Sequence, residues 1–387
     1  MSLGTVKLGG YVDLVMGQAP PGEACNKEGE GTIFVKAGEF QERSPAIREW
    51  TSQPLKFAKN NDTLVCVVGA TAGKVNLAMF ECAIGRSVAA VRPIPDKIDP
   101  LFLYHFLQTT VGQLRDRAQG AAQGVITREM LQSLTLVLPP LPEQRRIAAI
   151  LDQADALRAK RREALAQLDA LTQSIFIEMF GDLVSNQRGW EEGLSLGDVA
   201  DIVSGVTKGR KIEGKSSREV PYLAVSNVQE MRLNLEVVKR IEATEEEITR
   251  YALRTGDLLL TEGGDPDKLG RGTLWRGELP ECIHQNHVFR VRLTSKKVTP
   301  YFLNWLVGSH RGKRYFLKSA KQTTGIASIN MTQLRGFPLL LPPVGLQQEF
   351  ENAVENVNTQ ASLIGSAMKQ TDSLFASLQH LAFKGAL

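Results

Sequence analysis

Gly69-Ala70-Thr71-Ala72-Gly73-Lys74 is the stretch of this chain whose residue types come nearest to catalysis. A glycine-rich loop ending in lysine can cradle phosphates, but that loop needs four residues between its first glycine and Gly-Lys, then a hydroxyl to hold magnesium. Here Val68 stands at the glycine position and Val75 at the hydroxyl position, so a glycine turn after a strand is the better reading. His284 and His287, with Cys282 nearby, invite a metal site. The segment "ECIHQNHVFRV" reads as a strand, however, which turns the two imidazoles to opposite faces, and the matching "ECAIGRSVAAV" carries no histidine. Cys25, Cys66, Cys82 and Cys282 form no C-x-x-C pair and are expected to be reduced thiols of a cytosolic protein. A G-x-S-x-G elbow, H-E-x-x-H and a dinucleotide fingerprint are all missing. So is the Asp/Asn-Pro-Pro-Tyr tetrapeptide with which amino-methyltransferases grip a flipped base. The sequence offers no catalytic apparatus of its own.

What it does offer is polar, glycine-rich loops with basic residues. In the first half these hold Gln18, Lys36, Thr71, Lys74 and Arg86, then Gln119 and Gln123 in "RAQGAAQG". In the second half they hold Thr207, Lys208 and Arg210 in "GVTKGRK", Ser226 and Asn227 in "VSNVQ", Asn286 in "HQNH", and Lys318, Gln322 and Thr323 in "KSAKQTTG". Arg, Lys, Asn, Gln and Thr on loops are the side chains that reach phosphates and base edges. Singly, each could be no more than a solvated loop residue; as a set at matching points of two halves they point to nucleic acid.

The elements that must position these loops are duplicated. "LGGYVDLVMG" from Leu8 returns as "LGDVADIVSG" from Leu196, and Phe40-Gln41-Glu42 as Val228-Gln229-Glu230. "NDTLVCVVG" pairs with "GDLLLTEGG", "SVAAVRP" with "HVFRVRL", "DPLFLYHFL" with "TPYFLNWLV", and "ITREMLQSLTLVLPP" with "INMTQLRGFPLLLPP". Order kept across so many blocks marks two copies of one unit. Short runs rich in Val, Leu and Ile, broken by Gly and Asn/Asp, predict strands. "PLFLYHFLQTTVGQLR" and "PYFLNWLVGSHRGKRYFL" predict helices with proline in the first turn.

Each copy then closes on a proline hinge, "PPLPEQRRI" at 139–147 and "PPVGLQQEF" at 342–350, before a long helical run. From Glu143 to Phe180 there is neither Pro nor Gly, and strong helix formers dominate. Ile147, Ile150, Leu151, Ala154, Leu157, Leu165, Leu168, Leu171, Ile175 and Met179 mark one apolar stripe, and Gly181 a stop. Phe350, Val354, Val357, Ala361, Ile364, Met368, Phe375 and Leu378 mark a second. Two such helices would cover each other's stripes as an antiparallel pair or coiled coil. The expected fold is α+β. Residues 1–142 and 183–344 form two mixed, mostly β domains, joined by long helices over 143–182 and 345–387. Arg158, Lys160, Arg161 and Arg162 on the first helix read as a solvated face, with partner docking as the sharper alternative.

With 46 Lys and Arg against 42 Asp and Glu, the net charge of +4 permits an acidic partner without demanding one. No apolar run reaches the roughly 18 residues of a membrane span, so a soluble, cytoplasmic protein without membrane partners is expected.

On these motifs the chain resembles the DNA-specificity subunits of type I restriction–modification systems. The resemblance covers essentially the whole sequence, and "TLVLPPLPEQRRIAAILDQADALRAKRREALAQLDALTQSIFIEMFGD" carries it most specifically; "PLLLPPVGLQQEF" departs by losing the Pro-Glu-Gln order. It implies a subunit without catalysis of its own, reading a bipartite, asymmetric double-stranded DNA target with one domain per half-site. It implies partners too: two modification subunits that methylate adenine with S-adenosylmethionine, and restriction subunits that use ATP and magnesium. This chain itself would bind no cofactor or metal. Glu143, Gln144, Arg145, Arg146, Gln347 and Gln348, in the hinge motifs, would then face partner subunits. A recognition subunit of an orphan methyltransferase or related phage-defence system, lacking nuclease partners, is the alternative within the same architecture.

Overall fold

The computed structural model describes residues 4–119, 124–212, 216–264, 269–323 and 326–384. The chain divides into two compact units, Met1–Ala164 with Ile364–Leu387, and Leu165–Leu363. Each is built on a four-stranded antiparallel sheet. The strand order is Val12–Met16, Val88–Pro93, Thr63–Cys66, Val75–Leu77 in the first unit and Ala200–Ser204, Val288–Leu293, Leu258–Thr261, Gly272–Leu274 in the second. The duplication read from sequence is therefore a duplication of topology. The offset between counterparts grows from 188 (Val12 to Ala200) through 195 (Thr63 to Leu258) and 200 (Val88 to Val288) to 203 (Leu141 to Val344), as loops of unequal length accumulate.

The central runs Thr63–Cys66 and Leu258–Thr261 are buried at every position, because both sheet faces are covered. Strand alternation sends Val65, Ala89 and Val91 into one core, shared with the helices, and Leu64, Cys66, Val88 and Ala90 into another. That second core lies under a second sheet of shorter strands, five in the first unit, with one parallel pair there, Phe34↔Ala83 and Val35↔Ile84. Its equivalent in the second unit is Tyr222↔Ile283 and Leu223↔His284.

Helix Pro100–Thr109 starts where the Asp99 carboxylate accepts from the amides of Leu101 and Phe102, both at 3.0 Å. Helix Pro300–Gly308 starts where the Thr299 hydroxyl accepts from the Phe302 amide at 3.3 Å. Such caps satisfy amides that the first turn leaves free. Each predicted helical run breaks once, at Thr110 and at Ser309, and Val111–Gln119 and His310–Ser319 follow.

The long helices are Leu141–Phe180 and Val344–Lys384. Gly181, at φ +73°, ends the first by donating its amide to the Ile177 carbonyl. Each unit contains the start of one long helix and the end of the other. The first unit buries Ile147, Ala148 and Leu151 together with Phe375 and Ala382; the second buries Phe350 and Val354 together with Phe176 and Phe180. In the first unit Arg158 reaches Asp372 at 2.6 Å and Arg161 reaches the Ala367 carbonyl at 2.7 Å, so the helices run antiparallel there.

Two expectations for these helices change. Leu157 and Leu171, placed in the apolar stripe, are 44% and 46% exposed. Burial instead concentrates at the helix ends, where a domain core is present to receive it. Nor is the arginine cluster a solvated face or a free docking surface. Arg158 also holds Asp155 and lies 4.4 Å from the Phe375 ring centroid. Arg161 also holds Thr371, and Arg162 holds Glu42; of the four only Lys160 is exposed, the others half-buried.

The hinges bring a further correction. Gln144 and Gln347, expected at a subunit interface, are 1% and 0% exposed. The Gln144 amide oxygen accepts from Asp99 N at 2.8 Å, and its nitrogen donates to the carbonyls of Pro139 and Lys97 at 2.8 and 3.3 Å. Gln347 makes the same bonds to Thr299 N, Pro342 O and Lys297 O at 2.8, 2.8 and 3.0 Å. A buried amide is retained where its donors and acceptor are all met. Here it ties the first turn of the long helix to the loop that caps the domain helix.

Candidate nucleic-acid interface

Several of the loops singled out from sequence meet at one turn in each unit. In the first, Gly85–Val88 is closed by Val88 N donating to Gly85 O at 2.9 Å. The loop after Val12–Met16 joins it through Gly17 N to Val88 O (2.9 Å) and Gln18 N to Ile84 O (3.0 Å). The end of Thr32–Val35 joins through Gly85 N to Val35 O (3.0 Å), and the loop after Thr63–Cys66 through Val67 N to Ser87 O (2.8 Å). In the second unit the turn is Gln285–Val288, closed by Val288 N to Gln285 O (2.9 Å). It receives Val206 N at His284 O (2.8 Å) and Glu262 N at His287 O (3.0 Å), while Gln285 N donates to Leu223 O (3.0 Å). Four of the first turn's five bonds have an equivalent in the second; the bond from Gly17 N has none among the described residues.

This convergence requires glycine at one position in each copy. A Cβ on Gly17 would stand 2.2 Å from Gly85 O, and one on Gly205 would stand 1.9 Å from His284 O. Two chains approach that closely only where no side chain intervenes. The recurrence of Gly17 as Gly205 in the repeat has this cause.

Around the first turn lie Gln18, Thr71 and Arg86, all exposed. Arg86 has no hydrogen-bond or ion-pair partner among the described residues. Around the second lie Thr207, Lys208 and Ser226, exposed, and Asn286, half-buried. Strand Lys321–Thr323 pairs with Ile326–Ser328, which pairs in turn with Gly263–Gly264 just beyond Glu262. The backbone of Gln322 and Thr323 is thereby brought to the same end of the unit; their side chains, and that of Gln119, lie outside the described residues, as does Gln123 entirely. Lys318 is exposed near the end of His310–Ser319.

Five candidates are engaged internally, Thr71 among them through a 3.3 Å hydrogen bond between its hydroxyl and the Cys66 thiol. The Lys36 ammonium is held by Glu49, a hydrogen bond that raises its pKa above the ordinary lysine value despite opposing burial. Lys74 donates to the Phe40 carbonyl at 2.8 Å. Arg210 pairs with Glu247 at 2.6 Å, and that hydrogen bond raises its pKa. Asn227 is buried, accepts from Ala224 N, and donates to the carbonyls of Asn234 and Val237 at 2.8 and 3.0 Å. It shapes the loop and is not presented to a ligand. Cations already neutralised by a neighbour have little left for phosphate.

At the hinges, Arg145, Arg146 and Gln348 are exposed and Glu143 is half-buried. Arg146 and Glu143 pair with each other at 2.7 Å. His284 is buried in the core with Nδ1 2.7 Å from the Val288 carbonyl. Sequence reading missed a repeated internal pair. Asp62 and Asp257, each 1% exposed, hold Arg92 and Arg292 at 2.8 and 2.7 Å. They also accept from Lys59 N and Arg254 N at 2.8 and 2.7 Å. Both acids and both arginines stand inside the aligned repeat blocks, so the signal was there.

The family profile described as "Type I restriction modification DNA specificity domain" matches residues 3–167 and 187–364. The MjaX type I restriction enzyme specificity subunit of Methanocaldococcus jannaschii is 35% identical over 166 residues, 43% of this chain and 39% of that protein. The EcoKI specificity subunit of Escherichia coli is 26% identical over 325 residues, 80% of this chain and 70% of that one. The solved S subunit of a type I restriction–modification system from M. genitalium superposes with a TM-score of 0.61 at 15% identity, covering 98% of this chain and 96% of that one.

Proposed function

The chain belongs to the type I restriction–modification DNA-specificity family, and on that premise we propose that its two loop clusters read the two halves of a split, asymmetric DNA target. The observation that carries this reading is the duplicated frame. Four equivalent backbone hydrogen bonds hold one turn in each unit, while the side chains displayed around it differ: Gln18, Thr71 and Arg86 in one, Thr207, Lys208, Ser226 and Asn286 in the other. One frame with two sets of polar contacts suits two unlike half-sites. Lys208 and Lys318 supply phosphate contacts, so binding weakens steeply as salt rises.

In this reading the chain contributes no catalytic group. Two modification subunits dock on it, with Glu143, Arg145, Arg146 and Gln348 at the helix starts as the contact candidates, and transfer methyl from S-adenosylmethionine to adenine. Restriction subunits add ATP- and magnesium-dependent translocation and cleavage. The test is to map methylated adenines in cells with and without this gene. A split, asymmetric motif that disappears with the gene is expected; a contiguous palindrome, or no lost motif, overturns the reading.

A further inference from the structure

The two hub turns allow the reading to be taken to individual bases, and the inference rests on the proposed function above. Arg86 and Asn286 occupy the same place in the repeat, the second residue of the turns Gly85–Val88 and Gln285–Val288. Each turn is closed on itself and tied to neighbouring loops by backbone hydrogen bonds, so its tip is fixed. At the other tip position, Ser87 uses its hydroxyl to accept from Ala37 N at 3.2 Å and is occupied with the fold. That leaves Arg86 as the tip side chain of the first turn, exposed and without a partner among the described residues.

In the second turn His287 Nδ1 lies 2.6 Å from a Glu262 carboxylate oxygen. Where the ring donates its Nδ1–H to that carboxylate and carries no second proton, Nε2 is an acceptor. The Asn286 amide nitrogen lies 3.4 Å from that Nε2. The pair therefore orients the amide. One N–H is directed at His287, and the second N–H and the carbonyl oxygen remain for another molecule.

We infer that Arg86 reads a guanine in one half-site and Asn286 an adenine in the other. The guanidinium fork matches the O6 and N7 acceptors of guanine, whereas an amide, one donor beside one acceptor, matches N7 and N6–H of adenine. Glu262 and His287 are positioning residues for the second contact; the first unit, with Val67 and Ser87 at their places, has no such device.

The experiment uses the full chain assembled with its modification subunit and scores every methylated site in a randomised DNA library. Arg86→Lys keeps the charge and loses the fork. It is expected to reduce discrimination at one guanine by about tenfold or more, with the other half-site still read as in the wild type. Arg86→Asn is expected to move the preference at that position from guanine to adenine. Asn286→Asp, which removes the amide donor, is expected to relax one adenine in the other half-site alone. The unaffected half-site reports in each case that the complex has folded and assembled. An Arg86→Lys complex that binds more weakly but keeps every base preference places Arg86 on phosphate and overturns the assignment. So does simultaneous loss of both half-sites. A wild-type complex without a split motif instead sinks the family-based reading on which the assignment depends, before any variant is scored.

Discussion

At the scale of single residues, equivalence between the two units supplies controls that an unrepeated fold lacks. His284 sits where the first copy has Ile84. Fully buried, its imidazole is pushed down to about 4 by loss of solvent, against the smaller opposing effect of its hydrogen bond to Val288. In the unfolded chain the same ring titrates near its ordinary value of roughly 6.5. Between those values the unfolded state binds a proton that the folded state refuses. His284 therefore costs nothing above about pH 6.5 and destabilises progressively as the pH falls toward 4, by up to roughly 3 kcal/mol. His284→Ile is expected to flatten much of this acid limb when urea midpoints at pH 4.5 and 7.5 are compared. Part of the slope persists, because burial also lowers the pKa of His105 in the first unit, with Asp152 opposing. An unchanged slope in the variant would show that His284 is not the proton acceptor.

At the scale of elements, the hinge glutamines decide how a long helix leaves its domain. Gln144→Ala removes a side chain that satisfies Asp99 N, Pro139 O and Lys97 O. Orphaned buried groups of this kind cost about 1–3 kcal/mol. The loss is expected to appear as faster amide exchange at the start of Pro100–Thr109, with Pro300–Gly308 unaffected; Gln347→Ala should give the mirror result. Gln144→Glu keeps the shape but removes both donors, and is expected to fare no better than alanine. Stability equal to the wild type in both Gln144 variants would contradict a clamping role. These residues were legible as a motif, since "PPLPEQ" and "PPVGLQ" recur. Their burial was not, because their partners lie up to 50 residues away.

At the scale of the whole molecule, the first unit is completed by a segment distant in sequence, Ile364–Leu387, whereas the second is continuous. Phe383 packs against Phe102 and Phe106 at 5.2 and 5.6 Å between ring centroids, and Phe375 and Ala382 join the same core. Ending the chain after Leu363 is therefore expected to injure the N-terminal unit and spare the unit next to the cut. Loss of one buried ring and one half-buried ring corresponds to several kcal/mol. Hydrogen exchange should rise by orders of magnitude across Pro100–Thr109 and stay close to wild type across Pro300–Gly308. Greater loosening of the second unit would refute this account of the core.

What the amino-acid sequence determined by itself was everything written in short-range pattern. The duplication, the strands Thr63–Cys66 and Leu258–Thr261, the proline-started helices, the long helices and the stop at Gly181 all follow from propensity, capping and periodicity within a few residues. The loops that carry the candidate interface were legible for the same reason: Gly, Asn, Gln and basic residues interrupt apolar runs at corresponding points. Tertiary structure decided which of those side chains are free. Lys36 is neutralised by Glu49, 13 residues on, and Arg210 by Glu247, 37 residues on. Asn227 and Gln144 are drawn inward by backbone groups they do not adjoin, while Leu157 and Leu171 are left outside. Charge pairing and burial depend on which distant segments the fold brings within a few ångströms, and no local pattern encodes that distance.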